Sequence, residues 1–300
     1  MFESAPARQR ARGRPSASVL LRAIRPRQWS KNLLVVAAPC AAGVILRPEV
    51  AWRVAVAFAA FCLLSSATYL LNDVRDVEED RSHPRKRLRP VAAGELSGCA
   101  ALLMAALLAV AGLAVASAVT PVLGAVGFAY LAVTVSYSLW WRGVVVLDIV
   151  AVACGFVLRA AAGGAAGMVY LSRFFLLVAA FGATFLVAGK RYAELRERSA
   201  GSPTRGTLHR YSHGSLRLVL ACSAAAAVIA YGLWAFTGPG HGLWHVLSIA
   251  PLGLWLARYA TLVGAGVGQS PEEVIVGDRV LLALTALWAA LFLSGVYAGR

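Results

Sequence analysis

The sequence carries unusually little charge for its length. Only 14% of its 300 residues are charged, and Asp and Glu together number 14. A soluble domain has about 25% charged residues, so the composition excludes an ordinary soluble domain. The apolar residues make up 59% of the chain. They fall into runs of the length that a membrane-spanning helix needs, about 20 residues.

The residue patterns of several other protein classes are also lacking. The five cysteines lie scattered in apolar segments without a CxxC pair, which argues against a metal cluster or a disulfide framework. No Ser/His/Asp or Cys/His set indicates a covalent nucleophile. No zinc or helix-turn-helix signature accompanies the formal charge of +15. We therefore expect membrane lipids and an anionic substrate as partners, and no nucleic acid.

Repeated apolar runs predict an all-α integral membrane protein with about nine transmembrane helices. Residues 1–22 are interpreted as a basic, disordered cytoplasmic arm, and residues 23–300 as a single transmembrane domain. The nine predicted spans are 30–46, 51–72, 98–119, 121–141, 144–165, 170–189, 215–237, 243–264 and 279–298.

Basic residues are distributed unevenly between the predicted loops. With the N-terminus in the cytoplasm, 24 bases lie on the inner side and only four on the outer side. This asymmetry predicts a multi-pass protein of the plasma (inner) membrane with a cytoplasmic N-terminus. The two long inner loops, 73–97 and 190–214, are rich in polar groups, so we expect an active site that faces the cytoplasm.

Acidic residues are concentrated where the second span ends. Asn72, Asp73, Asp76 and Asp80 follow one another at spacings that place the three aspartates on one helix face. Magnesium would relieve their repulsion, because it prefers oxygen ligands and is commonly shared between one or two carboxylates, waters and a substrate's phosphates. The alternative is a solvated helix end that nearby arginines neutralise.

This acidic segment resembles the first aspartate-rich motif of the UbiA-type intramembrane prenyltransferases. The matched pattern is Asn72-Asp73-x-x-Asp76-x-x-x-Asp80, followed by Arg89-Pro90-x-x-x-Gly94. The resemblance implies a helical bundle with a central cavity that cytoplasmic loops cap. It also implies Mg2+ as cofactor. The residues it gives as metal ligands and catalytic residues are Asn72, Asp73, Asp76 and Asp80.

After the sixth span the chain departs from that family's pattern. Ordinary members carry a second motif, DxxYAxxD, where residues 189–196 of this chain read GKRYAELR. Gly189 and Arg196 thus replace the two aspartates, and two adjacent bases, Lys190 and Arg191, are added. Such bases attract an anion directly, which favours a donor with a further phosphate besides its diphosphate. Simple anchoring at the cytoplasmic surface is the alternative reading of these two bases.

The segment GKRYAEL looks like the second motif of the phosphoribosyl-transferring branch of that superfamily. The segments 25–32 (RPRQWSKN) and 137–163 fit the same branch. The resemblance implies transfer of the 5-phosphoribosyl group from phosphoribosyl diphosphate to a polyprenyl (decaprenyl) phosphate, for arabinosyl lipid donors and cell-wall arabinan. One alternative is an aromatic-acceptor prenyltransferase of quinone-type biosynthesis. The other is a non-enzymatic polyprenyl-phosphate carrier.

Further polar residues are candidates for substrate binding. Asp148 and Arg159 are eleven residues apart, about three helical turns, and therefore face the same side of the fifth span. Arg159 is equally suited to a structural pair between helices, and Lys31 to snorkelling at the interface. A homo-oligomer is compatible with the sequence, which does not specify one. The full set of candidate substrate-binding residues is Lys31, Arg89, Arg142, Asp148, Arg159, Lys190, Arg191, Tyr192 and Glu194.

Overall fold

The computed structural model describes residues 15–141, 144–199, 211–237, 242–267 and 271–297, and every regular element in these ranges is helical. Two 3-10 segments, Pro26–Leu33 and Lys86–Leu88, and a π-helical turn, Tyr137–Trp141, join the α-helices. The α-helices are α1 Ala17–Ile24, α2 Leu34–Ala41, α3 Pro48–Arg75, α4 Val77–Ser82, α5 Gly98–Val119, α6 Pro121–Ser136, α7 Val145–Gly167, α8 Arg173–Ser199, α9 His213–Thr237, α10 Leu243–Leu247, α11 Ile249–Gly264, α12 Pro271–Gly277 and α13 Arg279–Tyr297.

Eight helical segments in the described part of the chain are long and apolar enough to cross a membrane. They are α3, α5, α6 with its π-helical turn, α7, α8, α9, α10 joined to α11, and α13. Their bounds lie within about three residues of the predicted spans, except that α8 continues to Ser199, past the predicted end at residue 189. The prediction of an all-α membrane protein with a bundle of helices is confirmed.

The first predicted span, 30–46, takes a different form. The chain runs through the 3-10 segment Pro26–Leu33 into α2, which has only eight residues and contains Pro39. A helix of that length rises about 12 Å, whereas the hydrocarbon core is about 30 Å thick. The segment is apolar as predicted, but α2 is too short to be one of the eight spanning helices.

The predicted disordered arm, 1–22, is also corrected in part. Residues 1–14 lie outside the described residues, but α1 begins at Ala17. Its Val19 and Ala23 are buried in an apolar cluster with Leu70 of α3 and Leu96 of the loop that follows. The arm is therefore ordered from this point, because one face of α1 packs against the C-terminal part of α3.

Small residues let the helices approach closely. A Cβ on Gly163 of α7 would lie 1.9 Å from the backbone oxygen of Val35 in α2. A Cβ on Gly112 of α5 would lie 2.7 Å from Leu64 Cδ2 of α3. Small residues at such crossings are typical of membrane helix packing.

Helix α7 joins the two halves of the bundle. Its later residues Ala162 and Ala166 belong to an apolar cluster with α2, α3, α5 and α6. Its earlier residue Ile149 belongs to a second cluster, which α8, α9 and α11 complete. Polar side chains on α7 are consequently directed into the interior between the two halves.

Candidate active site

The first motif spans a break between two helices. Helix α3 ends at Arg75, and Asp76 has φ −95° and ψ 14°, outside the helical range, before α4 begins at Val77. The helix is therefore interrupted at Asp76, within the segment predicted to present Asp73, Asp76 and Asp80 on one face. The chain still turns tightly here, because the Asp80 N–H donates to the Asp76 carbonyl at 2.8 Å.

Two arginines neutralise the buried aspartates of this motif. Arg25 follows α1 in the left-handed conformation, with φ 53°, and its guanidinium donates to Asp73 Oδ1. Arg89 Nη1 lies 3.3 Å from Asp73 Oδ1 and 2.5 Å from Asp80 Oδ2, so it bridges the two carboxylates. Asp73 and Asp80 are each only 1% exposed. The structure thus brings Asp73 and Asp80 together, whereas Asn72 and Asp76 are half-buried beside them.

One carboxylate oxygen of this cluster remains unfilled. Asp73 Oδ2 is buried and has no hydrogen-bond partner among the described residues, and a buried acceptor of this kind calls for a partner. Within the same residues, no group of three or more His, Cys, Asp or Glu side chains is arranged to hold a metal ion. The residues fit a magnesium ion of the kind that takes one or two carboxylates and completes its shell with water and phosphate.

The second motif is organised around a buried ion pair. Arg191 on α8 donates from Nε to Asp148 Oδ2 at 2.6 Å and from Nη2 to Asp148 Oδ1 at 2.7 Å. Its remaining nitrogen, Nη1, donates to Glu194 Oε2 at 2.7 Å. Asp148 also accepts from the hydroxyls of Tyr137 at 2.5 Å and Tyr211 at 3.2 Å. Every nitrogen of Arg191 and both oxygens of Asp148 are thus engaged within the protein.

This network joins several segments of the chain. Tyr137 comes from the π-helical turn, Asp148 from α7 and Arg191 from α8. Tyr211 follows residues 200–210, which lie outside the described part of the chain. Burial and the neighbouring Asp148 raise the pKa of Tyr211, which keeps its hydroxyl a donor. A substrate contact by Arg191, Asp148 or Glu194 stays a prediction, and the geometry favours a positioning role for them.

The place of the missing aspartate at position 189 is occupied by a neighbour. A Cβ on Gly189 would lie 3.0 Å from Tyr259 Cε1 and 3.6 Å from the Tyr259 hydroxyl. Tyr259 is fully buried, its ring stacks on Trp255 at 5.6 Å, and its hydroxyl has no partner among the described residues. The loss of the carboxylate is therefore accompanied by a tyrosine of α11 that takes up its space.

A group of basic side chains lies next to this tyrosine. Lys31 Nζ is 2.6 Å from Gln28 Oε1 and 3.7 Å from Glu272 of α12. Lys31 lies outside the eight spanning helices. Burial, with the positive charges of Lys190 and Arg159, lowers its pKa to about 8 against the opposing effect of Glu272. The predicted basic residues Lys31, Lys190 and Arg159 thus share one electrostatic neighbourhood.

Arg159 is a buried cation with neutral hydrogen-bond partners. It donates to Asn32 Oδ1 at 2.7 Å, to the Gly155 carbonyl at 2.9 Å and to the Tyr130 hydroxyl at 2.7 Å. Its guanidinium carbon also lies 4.6 Å from the centre of the Tyr130 ring. No carboxylate among the described residues is within ion-pair distance, so the predicted alternative of a structural ion pair is not found there.

Two remaining candidates lie elsewhere. Tyr192 is directed toward α9, where its hydroxyl accepts from Arg217 Nε at 3.0 Å, rather than toward the basic group. Arg142 falls outside the described residues, so its predicted contact with the diphosphate stays a prediction.

Several partners of the site were not identified from the sequence. Arg25 lies in the segment RPRQWSKN, whose pattern fits the family branch but does not indicate a role for Arg25. Glu272 and Tyr259 carry no local signal, because the folded bundle alone brings α11 and α12 beside Lys31 and Gly189. Tyr137 and Tyr211 are the neutral members of the Asp148 network.

The chain matches known proteins over most of its length. The model of the UbiA prenyltransferase family matches residues 33–276. A decaprenyl-phosphate phosphoribosyltransferase of Mycolicibacterium smegmatis is 44% identical over 93% of this chain and 93% of its own. The Mycobacterium tuberculosis protein of the same name is 46% identical over 90% of this chain and 92% of its own. A UbiA homologue of Archaeoglobus fulgidus, solved with GPP and Mg2+, superposes with a TM-score of 0.71 at 18% identity, covering 94% of this chain and 99% of its own.

Proposed function

The chain belongs to the UbiA prenyltransferase family, and we propose that it transfers the 5-phosphoribosyl group of phosphoribosyl diphosphate to a polyprenyl phosphate, releasing diphosphate. The observation that carries this function is the 44–46% identity to decaprenyl-phosphate phosphoribosyltransferases over about nine-tenths of both chains. Decaprenyl phosphate is the expected acceptor. The product is expected to serve as a precursor of arabinosyl lipid donors.

The second motif supports this donor over a prenyl diphosphate. An aromatic-acceptor prenyltransferase would be expected to have carboxylates at positions 189 and 196, where this chain has Gly189 and Arg196. Tyr259 fills the space beside Gly189, and Lys31, Lys190 and Arg159 lie near one another. Such a group favours a phosphate directly, as a terminal 5-phosphate requires.

Each part of the donor has a place in this arrangement. The diphosphate lies at the first motif. There Arg25 and Arg89 can bind its oxygens while they remain paired with Asp73 and Asp80. The 5-phosphate lies near Lys31 and Lys190. The Asp148–Arg191 network fixes the start of α7 and the end of α8, and so positions Lys190.

The chain's own residues supply magnesium ligands at the first motif. Asp73 offers its unfilled Oδ2, and Asn72, Asp76 and Asp80 stand beside it. Bound magnesium neutralises charge on the leaving diphosphate. Because Asp73 and Asp80 are buried against Arg25 and Arg89, their orientation is set before the donor arrives, and catalysis of this kind relies on such preorganisation.

The reaction needs positioning rather than a strong base. The bond between the anomeric carbon and the diphosphate oxygen breaks, and a bond from that carbon to a phosphate oxygen of the polyprenyl phosphate forms. The attacking oxygen is already anionic, so no residue must remove a proton. Arg159 of α7, buried against Tyr130 of α6 and Asn32 of the 3-10 segment before α2, contributes a positive charge in the interior from which the lipid phosphate approaches.

The membrane setting follows from the helices, and its finer features are part of the proposal. The chain is an integral membrane protein with several apolar helices. The excess of basic residues on one side supports a cytoplasmic N-terminus in the plasma (inner) membrane, with the site open to the cytoplasm.

A reconstitution assay tests the function. Purified protein is mixed with phosphoribosyl diphosphate, labelled in the ribose, and with decaprenyl phosphate in detergent micelles, with and without magnesium. We expect label to appear in the lipid only when magnesium is present. Transfer of a prenyl group from geranyl diphosphate to an aromatic acid, without ribose transfer, would establish the alternative function. A carrier would bind polyprenyl phosphate and transfer neither group.

A further inference from the structure

A groove separate from the first motif runs between α8, α9 and α11. Its volume is about 590 Å³, and its walls are mostly alanine and branched apolar side chains. None of the aspartates or lysines of the candidate active site line it. The groove is therefore distinct from the first motif, and its main apolar lining residues are Phe185, Leu220, Ala224, Val228, Leu256 and Ala260.

Two arginines stand at one end of this groove. Arg217, near the start of α9, lines the groove, and its guanidinium carbon lies 5.6 Å from the centre of the Tyr192 ring. Arg196, near the end of α8, donates to the carbonyl oxygen of Gly264, another lining residue. Among the residues that the structure describes, neither arginine forms an ion pair with a carboxylate. The groove thus has a positively charged end and an apolar remainder.

The charge at this end has replaced a charge of opposite sign. Arg196 stands where ordinary members of the family carry the second aspartate of DxxYAxxD. In this chain its side chain points to α11 rather than to Asp73 or Lys31. The proposed reaction assigns no role to Arg196. A phosphate group bound at the groove would give it one, as a hydrogen-bond donor to that phosphate.

We propose that this groove binds an anionic phospholipid of the surrounding membrane. Its phosphate lies between Arg196 and Arg217, and one acyl chain lies along α9 and α11. The polyprenyl phosphate acceptor is a poorer occupant, because its phosphate must reach the anomeric carbon near Asp73 and Lys31. A lipid whose phosphate is bound by Arg196 and Arg217 would hold that phosphate away from Asp73 and Lys31, where the reaction is proposed to occur.

The physical basis is charge complementarity joined to apolar contact. An anionic headgroup attracts basic side chains at the membrane surface, and both arginines offer planar donors suited to phosphate. The acyl chain makes dispersion contacts with the apolar walls of the groove. Because Tyr192 joins Arg217 to the second motif, the lipid also steadies the end of α8.

Lipid retention is the direct test. The full chain is delipidated in a neutral detergent, and phosphatidylglycerol or phosphatidylcholine is added in steps while bound lipid is counted by native mass spectrometry. We expect one phosphatidylglycerol per chain at concentrations where phosphatidylcholine is not retained. The variant R196Q/R217Q should need more than tenfold more phosphatidylglycerol. The matched control, Arg173→Gln, removes an exposed arginine at the opposite end of α8 from Arg196. This variant should bind the lipid as the wild type does.

A second pair of variants tests the apolar part of the groove without altering charge. Ala225→Phe fills the groove, whereas Ala114→Phe adds the same ring to an exposed position on α5. Only the first should weaken phosphatidylglycerol retention. R196K/R217K, which keeps both charges, should retain the lipid and so separates loss of binding from misfolding.

The proposal is overturned by either of two results. One is equal retention of phosphatidylglycerol by the wild type and R196Q/R217Q. The other is recovery of polyprenyl phosphate, rather than phospholipid, as the retained lipid that depends on these arginines. Both results concern binding alone, so they stand apart from any failure of the transfer assay.

Discussion

The two motif regions use the same kind of ion pair in opposite ways. In the first, the motif supplies buried acids, Asp73 and Asp80, and two arginines neutralise them, Arg89 of the same motif and Arg25 after α1. In the second, the motif supplies the base, Arg191, and α7 supplies the acid, Asp148. The first leaves a carboxylate oxygen unfilled, whereas the second engages every nitrogen and oxygen of its central pair. The first is built to receive a ligand, and the second to hold helices in place.

The largest expected effect is on turnover at the first region. Asp73→Asn removes the charge of the carboxylate that offers the free oxygen. We expect the rate of ribose transfer to fall about a thousandfold, the order found when one preorganised electrostatic contact to a transition state is removed. The measurement is the initial rate of label transfer over a range of magnesium concentrations.

Glu78→Gln is the control for that variant. Glu78 lies in the same acidic segment, but it is exposed and paired with Arg81. Its removal should change the rate less than twofold. If Asp73→Asn kept more than a tenth of wild-type turnover, the first region would not be the reacting one.

The second region should instead respond in stability. Arg191→Gln leaves Asp148 buried without its cation, and breaking a buried pair in this way costs about 3–5 kcal/mol. We expect a lower midpoint of thermal unfolding in detergent micelles. The double variant R191Q/D148N, which removes both charges, should recover most of the loss. If Arg191→Gln raised the KM for the donor without lowering the midpoint, Arg191 would be a donor-binding residue.

Restoring the family's aspartate at position 189 should have a smaller effect. The new side chain would be forced against Tyr259, and overpacking of this kind costs about 1–3 kcal/mol. Gly189→Asp should therefore unfold at a lower temperature, and Tyr259→Leu in the same chain should relieve part of the loss. Gly189→Ala separates the effect of the Cβ from that of the carboxylate. Equal stability of Gly189→Asp and the wild type would show that Tyr259 does not occupy that space.

The smallest expected effect is a dependence of donor binding on pH. Lys31 has a pKa of about 8 in the folded chain, below the 10.5 of a free lysine. It therefore loses its proton as pH rises through 8, and the Kd for phosphoribosyl diphosphate should rise about tenfold between pH 7 and 9. Lys31→Arg, which stays charged, should flatten this profile in calorimetric titrations. The same slope in both proteins would remove Lys31 from the donor site.

The sign of this shift also has a consequence for folding. Because the pKa of Lys31 is lower in the folded chain, the unfolded chain binds more protons between pH 8 and 10.5. The contribution of Lys31 to stability consequently increases as pH rises through that range.

The sequence predicted the spanning helices well because lipid imposes a simple requirement on length and polarity. The predicted span 51–72 corresponds to α3, and 98–119 to the bounds of α5. The first span was the exception, because Pro39 and a 3-10 segment interrupt an apolar stretch that hydropathy alone cannot divide.

The site was predictable in its motif residues but not in their pairings. Spacing identified Asp73 and Asp80, yet nothing local indicates that Arg25 would turn back onto Asp73, 48 residues later. Arg191 was predicted as a substrate contact because it is a base added at the second motif, and Asp148 because it is a charge on the fifth span. Their mutual contact depends on how α7 packs against α8, which neither segment encodes alone.

The Asp148–Arg191 pair has a consequence for how the chain is made. A charged side chain is costly in an apolar helix that stands alone in the membrane, and α7 and α8 each bring one member of the pair. The two helices are neighbours in the chain, with only residues 168–172 between them. We expect them to leave the insertion machinery as a hairpin in which the charges of Asp148 and Arg191 are already matched. Ribosome-bound chains arrested after α7 should accordingly crosslink to the translocon longer than chains arrested after α8.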